Sequence, residues 1–231
     1  MRLRQLIPLV TLVLVALVVA TAGAEVPAES RNESYVDPDL DMQRMLSRLE
    51  RETREVYSLR DEIVEVSGFE PGDVVADVGA GTGAFMDQLV EAVGAEGHLY
   101  AVEISIRFVE HLRERANEAG HDNVTTVFSS YTSATLPTAS VDRIITIDTY
   151  HHFDDYEAML ASMYDALVPG GEMIVVDFDR VEGKSREWIL SHVRDSKDTF
   201  RSEIEAAGFE FVEEVEIEGM VDNFFHRYRR P

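Results

Sequence analysis

The chain has 231 residues, of which 45% are hydrophobic, and 44 acidic against 21 basic side chains give it a formal net charge of −23. This length and composition suit one α/β domain with a full hydrophobic core. The strongly negative field repels phosphate groups and excludes a broad role in binding nucleic acids. The absence of cysteine excludes disulfides, thiolate nucleophiles and cysteine-based metal sites.

The first 24 residues have the pattern of a targeting segment. Arg2 and Arg4 precede an uncharged run over 5–24 whose centre is strongly apolar, and Ala22-Gly23-Ala24 places small residues before Glu25. This order predicts a signal peptide that is cleaved before Glu25. The alternative is an uncleaved anchor, because the run approaches the roughly 20 residues that span a bilayer. We therefore expect an exported protein of the periplasm or cell envelope, which contacts the membrane only through an uncleaved N-terminus.

Two segments precede the expected main domain. Residues 25–36 are polar and irregular, which is typical of a linker. Asp37-Pro38 has the pattern of a helix start, and apolar residues then recur at helical spacing. This predicts one long amphipathic helix over 37–68 that packs on the sheet. The helix can also serve as a lid, with Tyr57 and Arg60 facing a bound ligand.

Strand and helix patterns alternate through the expected main domain, 69–231. Predicted strands cover 73–78, 98–103, 124–128, 142–148, 172–178, 209–217 and 221–229. Predicted helices cover 83–94, 105–119, 154–168 and 185–207. This succession implies an α/β fold with a mostly parallel, Rossmann-like sheet and helices on both faces. The last two strands are separated by a short turn at Glu218-Gly219 and are expected to pair antiparallel.

The most informative motif runs from Val75 to Phe85. A buried strand leads into glycines at 79, 81 and 83, and a helix follows. Glycine permits tight turns and the close approach of a ligand, and the start of a helix presents free N–H groups and a positive dipole end. Asp77 precedes the loop. Glu103 ends the second strand, where its carboxylate can accept both hydroxyls of a ribose. The motif therefore predicts a site for a nucleoside-like cofactor.

The charge of Asp77 distinguishes between cofactors. NAD enzymes use the wider G-x-G-x-x-G spacing, and the pyrophosphate of NAD would place two anions together beside Asp77. A cofactor with a cationic amino-acid group pairs favourably with this carboxylate instead. The argument favours S-adenosylmethionine over NAD and disfavours an NAD-dependent oxidoreductase.

Several motifs together resemble class I S-adenosylmethionine-dependent methyltransferases. They are Val75–Phe85, Glu103, Asp142–Phe153 and the Pro-Gly-Gly turn within Leu167–Phe178. Segments 57–63 and 148–153 also resemble a bacterial subgroup of small-molecule-type methyltransferases, many of which carry export signals. The resemblance covers about 73–217. It implies a seven-stranded sheet of order 3-2-1-4-5-7-6 with the last strand antiparallel, and a small-molecule acceptor.

The resemblance also implies which residues contact the cofactor. It places the glycine loop along the methionine part, Glu103 on the ribose and the residues after the third strand near adenine. An acid often follows that strand in the family, and this chain has Ser130 and Tyr131 there instead. The expected cofactor-binding residues are Asp77, Gly79, Ala80, Gly81, Thr82, Gly83, Glu103, Ile104, Ser130, Tyr131 and Asp148.

The catalytic candidates follow the fourth strand and are Asp148, Tyr150, His151 and His152. Methyl transfer requires alignment of the acceptor with an activated methyl group, and a histidine can accept a proton from a hydroxyl or amine acceptor. The alternative is that one histidine packs under the following helix and the other is exposed to solvent. We expect no metal site here, since neighbouring side chains on a strand point to opposite faces.

A second function fits the same fold. A non-catalytic module of the cell envelope could bind a nucleoside ligand without transferring a methyl group. The envelope location favours this alternative because S-adenosylmethionine is made in the cytoplasm, whereas the intact glycine loop and Glu103 favour the enzyme. The sequence predicts neither the methyl acceptor nor the oligomeric state.

Overall fold

The computed structural model describes residues 30–231. The predicted signal peptide or anchor over 1–24 and the first part of the predicted linker lie outside the described residues. Within 30–231, no helix is both long enough and apolar enough to cross a membrane. Residues 31–35 form turns, as expected for an irregular segment.

The segment before the sheet folds into three short helices, so the prediction of one long helix over 37–68 is wrong. Helices α1, α2 and α3 cover Met42–Leu49, Glu55–Ser58 and Arg60–Ser67. Asp41 caps α1 by accepting a hydrogen bond from a backbone amide of the first turn. The break after α1 brings Arg54 and Glu55 to partners beyond the segment, and these tertiary contacts override the helical pattern.

Seven strands form one sheet. Strands β1 to β7 cover Val74–Val78, His98–Glu103, Val124–Phe128, Val141–Ile147, Leu167–Phe178, Glu210–Glu214 and Asn223–Arg229. Their order, β3-β2-β1-β4-β5-β7-β6, confirms the prediction. Strands β1 to β5 are parallel, and β7 is antiparallel to both β5 and β6. The Pro-Gly-Gly turn lies within β5, where the pairing with β4 shifts register between Val141 and Arg143.

Helices cover both faces of the sheet. Helices α4 and α5, Met86–Val93 and Ile106–Ala119, pack with α2 and α3 into one hydrophobic cluster. Helices α6, α7 and α8, Tyr156–Ala166, Glu187–His192 and Lys197–Ala206, pack into the cluster on the other face. The single helix predicted over 185–207 is thus two helices, because Val193 is extended and Ser196 caps a new helix.

The carboxyl ends of β1 and β4 lie side by side at the point where the strand order reverses. The chain moves outward from β1 to β2 and β3 and then returns to β4 on the other side of β1. Open parallel sheets bind ligands at this switch point. The glycine loop follows β1 and the segment 148–152 follows β4, so the fold brings both predicted motifs to one crevice.

Candidate active site

A cleft lies over the carboxyl ends of β1, β2 and β4, and we call it the loop cleft. All the predicted cofactor-binding residues except Gly83 line its wall, namely Asp77, Gly79, Ala80, Gly81, Thr82, Glu103, Ile104, Ser130, Tyr131 and Asp148. The fold therefore brings together side chains that follow four different strands.

The glycine loop has the left-handed backbone that glycine favours. Gly79 has a φ of +86°, and a Cβ at this position would lie 2.2 Å from Cγ2 of Thr149. Gly83 has a φ of +78°, and a Cβ there would lie 2.9 Å from Cδ2 of Leu112. Gly83 therefore allows the loop to pack on α5 and does not line the cleft, which corrects its prediction as a cofactor contact.

Two buried carboxylates lie beneath the loop. Burial, reinforced by the charge of Glu103, raises the pKa of Asp77 to about 7. The Glu103 carboxylate accepts hydrogen bonds from the backbone amides of Gly81 at 2.9 Å, Ile104 at 2.7 Å and Ser105 at 3.0 Å. Burial raises the pKa of Glu103 too, although these three donors oppose the rise. Glu103 thus holds the glycine loop in place while it lines the cleft, and the repulsion between the two acids favours a cationic ligand.

Asp148 begins the loop after β4 with a φ of +49°, which is uncommon for a residue other than glycine. Its buried carboxylate accepts hydrogen bonds from Nη2 of Arg54 at 2.8 Å and from Nδ2 of Asn223 at 2.5 Å. Burial raises the pKa of Asp148, and the Arg54 guanidinium opposes that rise. Asp148 therefore ties the N-terminal segment and β7 to the wall of the cleft.

Tyr150 does not reach the cleft, which corrects its prediction as a catalytic candidate. The side chain is fully buried, its hydroxyl donates a hydrogen bond to Glu203 at 3.0 Å, and its ring centroid lies 5.0 Å from that of Phe200. Burial raises the pKa of its phenol above the usual range. Tyr150 is therefore a core residue that anchors the 148–152 segment against α8.

His151 and His152 lie on a 3-10 turn, Tyr150–His152, rather than on a strand. Their ring centroids are 4.2 Å apart, and the ring of His192 at the end of α7 is 5.1 Å from each. Both residues are buried, so the alternative in which one of them is exposed to solvent is wrong. The argument against a shared metal site also fails, because the turn directs the two rings to one place.

Asp177 at the end of β5 orients His151. Nδ1 of His151 lies 2.6 Å from Oδ1 of Asp177, and the His151 backbone amide donates to Oδ2 at 3.0 Å. Because a carboxylate accepts, Nδ1 of His151 is the donor in this hydrogen bond, and the other ring nitrogen, Nε2, points away from Asp177. Burial, with the charge of His151 as the next cause, lowers the pKa of His152 to about 2, so this second ring is neutral at physiological pH.

A second cavity adjoins the loop cleft, and we call it the histidine cavity. The two cavities share Arg54, Asp148 and His152 in their walls, so they meet at the carboxyl end of β4. His151, His192 and Trp188 line only the histidine cavity. Trp188 is 41% exposed because it lies on the short helix α7 at the edge of this cavity.

The histidine cavity is rich in arginine. Its wall includes Arg48, Arg51, Arg54 and Arg186. Among its acids, Asp148 is paired with Arg54, and Glu55 accepts hydrogen bonds from the backbone amides of 221–223. Arg186 is likewise paired with Asp222, so within residues 30–231 only Arg48 and Arg51 of these four form no ion pair. In a chain with a net charge of −23, these two arginines give the cavity a local positive charge that attracts anions.

Sequence reasoning missed the part that the N-terminal segment plays in the loop cleft. Nδ2 of Asn32 donates to the backbone carbonyl of His152 at 2.9 Å and to Asp154 at 3.2 Å, and the Ser30 hydroxyl donates to Asp154 at 2.6 Å. The ring of Tyr35 packs edge-on against His152 with 5.2 Å between centroids. The polar residues that suggested a linker are the ones that bind this segment to the cleft.

Tyr57 and Arg60, which were predicted to face the ligand from the lid, do not reach the site. Arg60 stacks on Tyr57 with its guanidinium carbon 4.3 Å from the ring centroid, and neither residue lines the two cavities. Arg54 reaches the site instead, because the chain breaks before α2. The periodicity gives no sign of this break.

Residues 75–171, from β1 to the Pro-Gly-Gly turn, match the family model described as "Methyltransferase domain". This stretch, which is less than half of the chain, is similar to methyltransferase domains. The match and the fold together indicate S-adenosylmethionine as its cofactor.

Individual relatives agree with the family match. The crystal structure of a SAM-dependent methyltransferase from Aquifex aeolicus has the same fold, with a TM-score of 0.73 and 22% identity over 83% of this chain and 99% of that chain. A protein-L-isoaspartate O-methyltransferase from Ignicoccus hospitalis is 36% identical over 83 residues, which are 36% of this chain and 39% of the relative. A phosphoethanolamine N-methyltransferase from Triticum aestivum is 27% identical over 176 residues, which are 73% of this chain and 34% of the relative. The chain thus spans half or less of the length of these curated relatives.

The residues of the loop cleft fit S-adenosylmethionine. Asp77 and Glu103 supply negative charge beside the loop where a cationic methionine part would lie. Ser130 and Tyr131 follow β3 on the expected adenine side, and Asp154 from the next loop lines the same cleft. An acid is therefore present in this cleft after all, although it comes from a different part of the chain.

Gly81 provides a direct test of the cleft. A Cβ at Gly81 would meet nothing closer than Cδ1 of Leu49 at 3.8 Å, so Gly81→Ala has room in the free protein and occupies space that the cofactor needs. We expect its Kd for S-adenosylhomocysteine, measured by calorimetry, to rise about tenfold or more, which corresponds to roughly 1.4 kcal/mol. Gly183→Ala is the matched control, since its φ of +75° imposes a similar backbone cost with no atom within 4 Å. Equal loss of affinity in both variants would contradict this assignment of Gly81.

Proposed function

We propose that the protein transfers a methyl group from S-adenosylmethionine to an anionic small molecule. The observation that carries the proposal is the arrangement of two adjoining cavities that meet at Asp148 and His152. The loop cleft has the features of the cofactor side, and the histidine cavity is large enough for a small acceptor. A methyl group of a cofactor bound in the loop cleft would then face an acceptor in the histidine cavity at the point where the two cavities meet.

The charge distribution supports the two assignments. The loop cleft carries the paired acids Asp77 and Glu103, which suit a cationic cofactor, whereas arginines line the histidine cavity. A carboxylate or phosphate group on the acceptor would therefore be oriented away from the acids and towards the guanidinium groups. This arrangement aligns an acceptor with the methyl group, which is the main requirement of an in-line displacement.

The catalytic assignments follow from the same geometry. His151 and His152 line the histidine cavity next to the junction, so we expect them to contact the nucleophilic atom of the acceptor. Asp148 is committed to Arg54 and Asn223, and we assign it a positioning role at the junction. A proton released by the acceptor would be transferred towards His151 and His152.

A labelled-methyl assay tests this function. The full chain is incubated with methyl-labelled S-adenosylmethionine and pools of small molecules sorted by charge, and products are separated by chromatography. We expect label to enter the anionic pools, and Gly81→Ala to reduce the signal about tenfold or more. If the protein binds the cofactor but labels none of the pools, it is instead a non-catalytic nucleoside-binding module.

We also propose that the protein acts outside the cytoplasm and that 37–68 serves as its helical lid. The basic and apolar pattern of the N-terminus supports export, and the contacts of Arg54 with Asp148 support a lid function. Cell fractionation followed by N-terminal sequencing is expected to give a mature protein that begins at Glu25, or an anchored chain that begins at Met1. A cytoplasmic chain with an intact N-terminus would rule out export.

A further inference from the structure

Three imidazole rings converge at the inner end of the histidine cavity. His151 and His152 come from the 3-10 turn after β4, and His192 comes from the end of α7. One possible ligand atom from each residue lies within 4.8 Å of the other two. The nitrogens of a tetrahedral zinc site are about 3.3 Å apart, given Zn–N bonds of roughly 2.0–2.1 Å, so ring rotations and a shift of the short helix α7 would close the gap.

Two of these histidines each have one ring nitrogen without a hydrogen-bond partner among residues 30–231. Nε2 of His151 and Nδ1 of His152 are buried without a hydrogen-bond partner in this part of the chain. His151 is 1% exposed and His152 is 9% exposed, so solvent does not compensate either nitrogen. A buried polar atom without a partner destabilises the fold and calls for an explanation such as a bound ion.

Asp177 prepares His151 to be a ligand. The carboxylate accepts a hydrogen bond from Nδ1 of His151 at 2.6 Å. It also accepts hydrogen bonds from the backbone amides of His151 at 3.0 Å and Phe178 at 2.7 Å, which fix its position. This arrangement directs the lone pair of Nε2 into the cluster. A carboxylate behind the second ring nitrogen is the usual partner of a metal-binding histidine, since it fixes the tautomer and makes the ring more basic.

We propose that His151, His152 and His192 bind a divalent transition metal ion, for which Zn²⁺ is the best match. Three imidazole nitrogens suit Zn²⁺ and other late first-row ions rather than Mg²⁺ or Ca²⁺, which prefer oxygen. Three protein ligands leave a fourth position open, as in catalytic zinc sites. That position faces the histidine cavity, where an oxygen, nitrogen or sulfur atom of an acceptor can bind.

Two simpler roles explain less of the arrangement. A general base needs only one oriented ring, and Asp177 already orients His151 for that role. It does not explain why His152 and His192 lie against the same ring. Aromatic packing explains the ring contacts, but it leaves the buried nitrogens of His151 and His152 unpaired. The charge of the ion is offset by Asp177 and by an anionic acceptor, which the nearby Arg48 would help to hold.

Metal titration of the full chain, without an affinity tag, tests the proposal. The protein is stripped with a chelator and titrated with Zn²⁺ against a chromophoric competitor and, separately, with Co²⁺ while the visible absorption of a tetrahedral complex is followed. Neither cofactor nor acceptor is present, so this inference can fail or hold independently of methyl transfer. We expect one equivalent of each ion to bind and Mg²⁺ not to compete.

The variants distinguish this cluster from surface histidines. His192→Ala removes a half-buried ring at the end of a short helix and is expected to leave the fold intact while it abolishes the cobalt spectrum. Asp177→Asn is expected to weaken zinc binding about 10–100-fold. His121→Ala is the control, because this residue follows the C-terminal end of α5 and its ring pairs with the exposed Asp87. No stoichiometric binding by the wild type, or equal binding by the His192 and His121 variants, would overturn the proposal.

Discussion

The ligand-free protein is expected to become more stable above neutral pH when Asp77 is replaced by asparagine. Burial and the charge of Glu103 raise the pKa of Asp77 from 3.8 to about 7. The folded protein therefore keeps a proton that the unfolded chain loses, and this group lowers stability as pH rises from about 4 to 7. At about 1.4 kcal/mol per pKa unit, the full penalty near pH 8 is on the order of 4 kcal/mol.

Thermal unfolding at a series of pH values measures this effect. The stabilities of Asp77→Asn and the wild type are expected to converge only at about pH 4 and below, where Asp77 is protonated in the folded protein and increasingly protonated in the unfolded chain as well. Near pH 8 the variant is expected to gain roughly 2–4 kcal/mol, or several degrees in Tm. Asp122→Asn, an exposed acid, is the control for net charge. A variant that is less stable than the wild type near pH 8 would show that Asp77 is not a strained anion.

The same variant is expected to lose affinity for S-adenosylmethionine. The ionised carboxylate costs free energy in the free protein, and a cationic cofactor recovers part of it by pairing with Asp77. We expect the Kd of the wild type to fall as pH rises from about 6 to 8. The Kd of Asp77→Asn is expected to be about tenfold higher or more near pH 8 and to vary little with pH.

Removal of Arg54 is expected to be among the most damaging single changes. Arg54→Met leaves Asp148, whose side chain is 4% exposed, without its ion-pair partner. A buried charge that loses its partner costs about 3–5 kcal/mol, and the partial exposure of Arg54 places the expected loss near 2–4 kcal/mol. The loss is expected to shrink towards pH 5, because burial already raises the pKa of Asp148 and protonation removes the uncompensated charge.

A double-mutant cycle separates this loss from simple changes in packing. In Arg54→Met with Asp148→Asn, no buried charge remains, so urea unfolding is expected to show recovery of at least half of the lost stability. Arg60→Met is the matched control from the same segment, since Arg60 pairs with the 70% exposed Glu52 and should contribute about 1 kcal/mol or less. Additive effects of the two substitutions at Arg54 and Asp148 would mean that the pair does not hold the segment to the sheet.

Much of the fold could be predicted because its signals are local. The apolar runs before the glycine loop and before Asp148 identify β1 and β4, and the glycines predict the turn that follows β1. The order of the seven strands came from a resemblance to a known family and was confirmed. Asp77 and Glu103 were found because both end strands whose neighbours could be assigned.

The remaining parts depend on contacts between distant segments. The helix predicted over 37–68 breaks so that Arg54 can reach Asp148, 94 residues away, and periodicity contains no trace of that partner. His192 joins His151 and His152 only because α7 folds over the turn after β4. The assumption that the two adjacent histidines lie on a strand was the specific error, because β4 ends at Ile147 and a 3-10 turn follows.

Calorimetric titration of the full chain with S-adenosylhomocysteine near pH 8, with NAD as the comparison ligand, tests the central claim most directly. A single site with micromolar affinity for S-adenosylhomocysteine, weakened in Gly81→Ala and accompanied by no binding of NAD, is the predicted result. A folded protein that releases no heat with S-adenosylhomocysteine, or that binds NAD more tightly, would contradict the assignment of the loop cleft as a methyl-donor site.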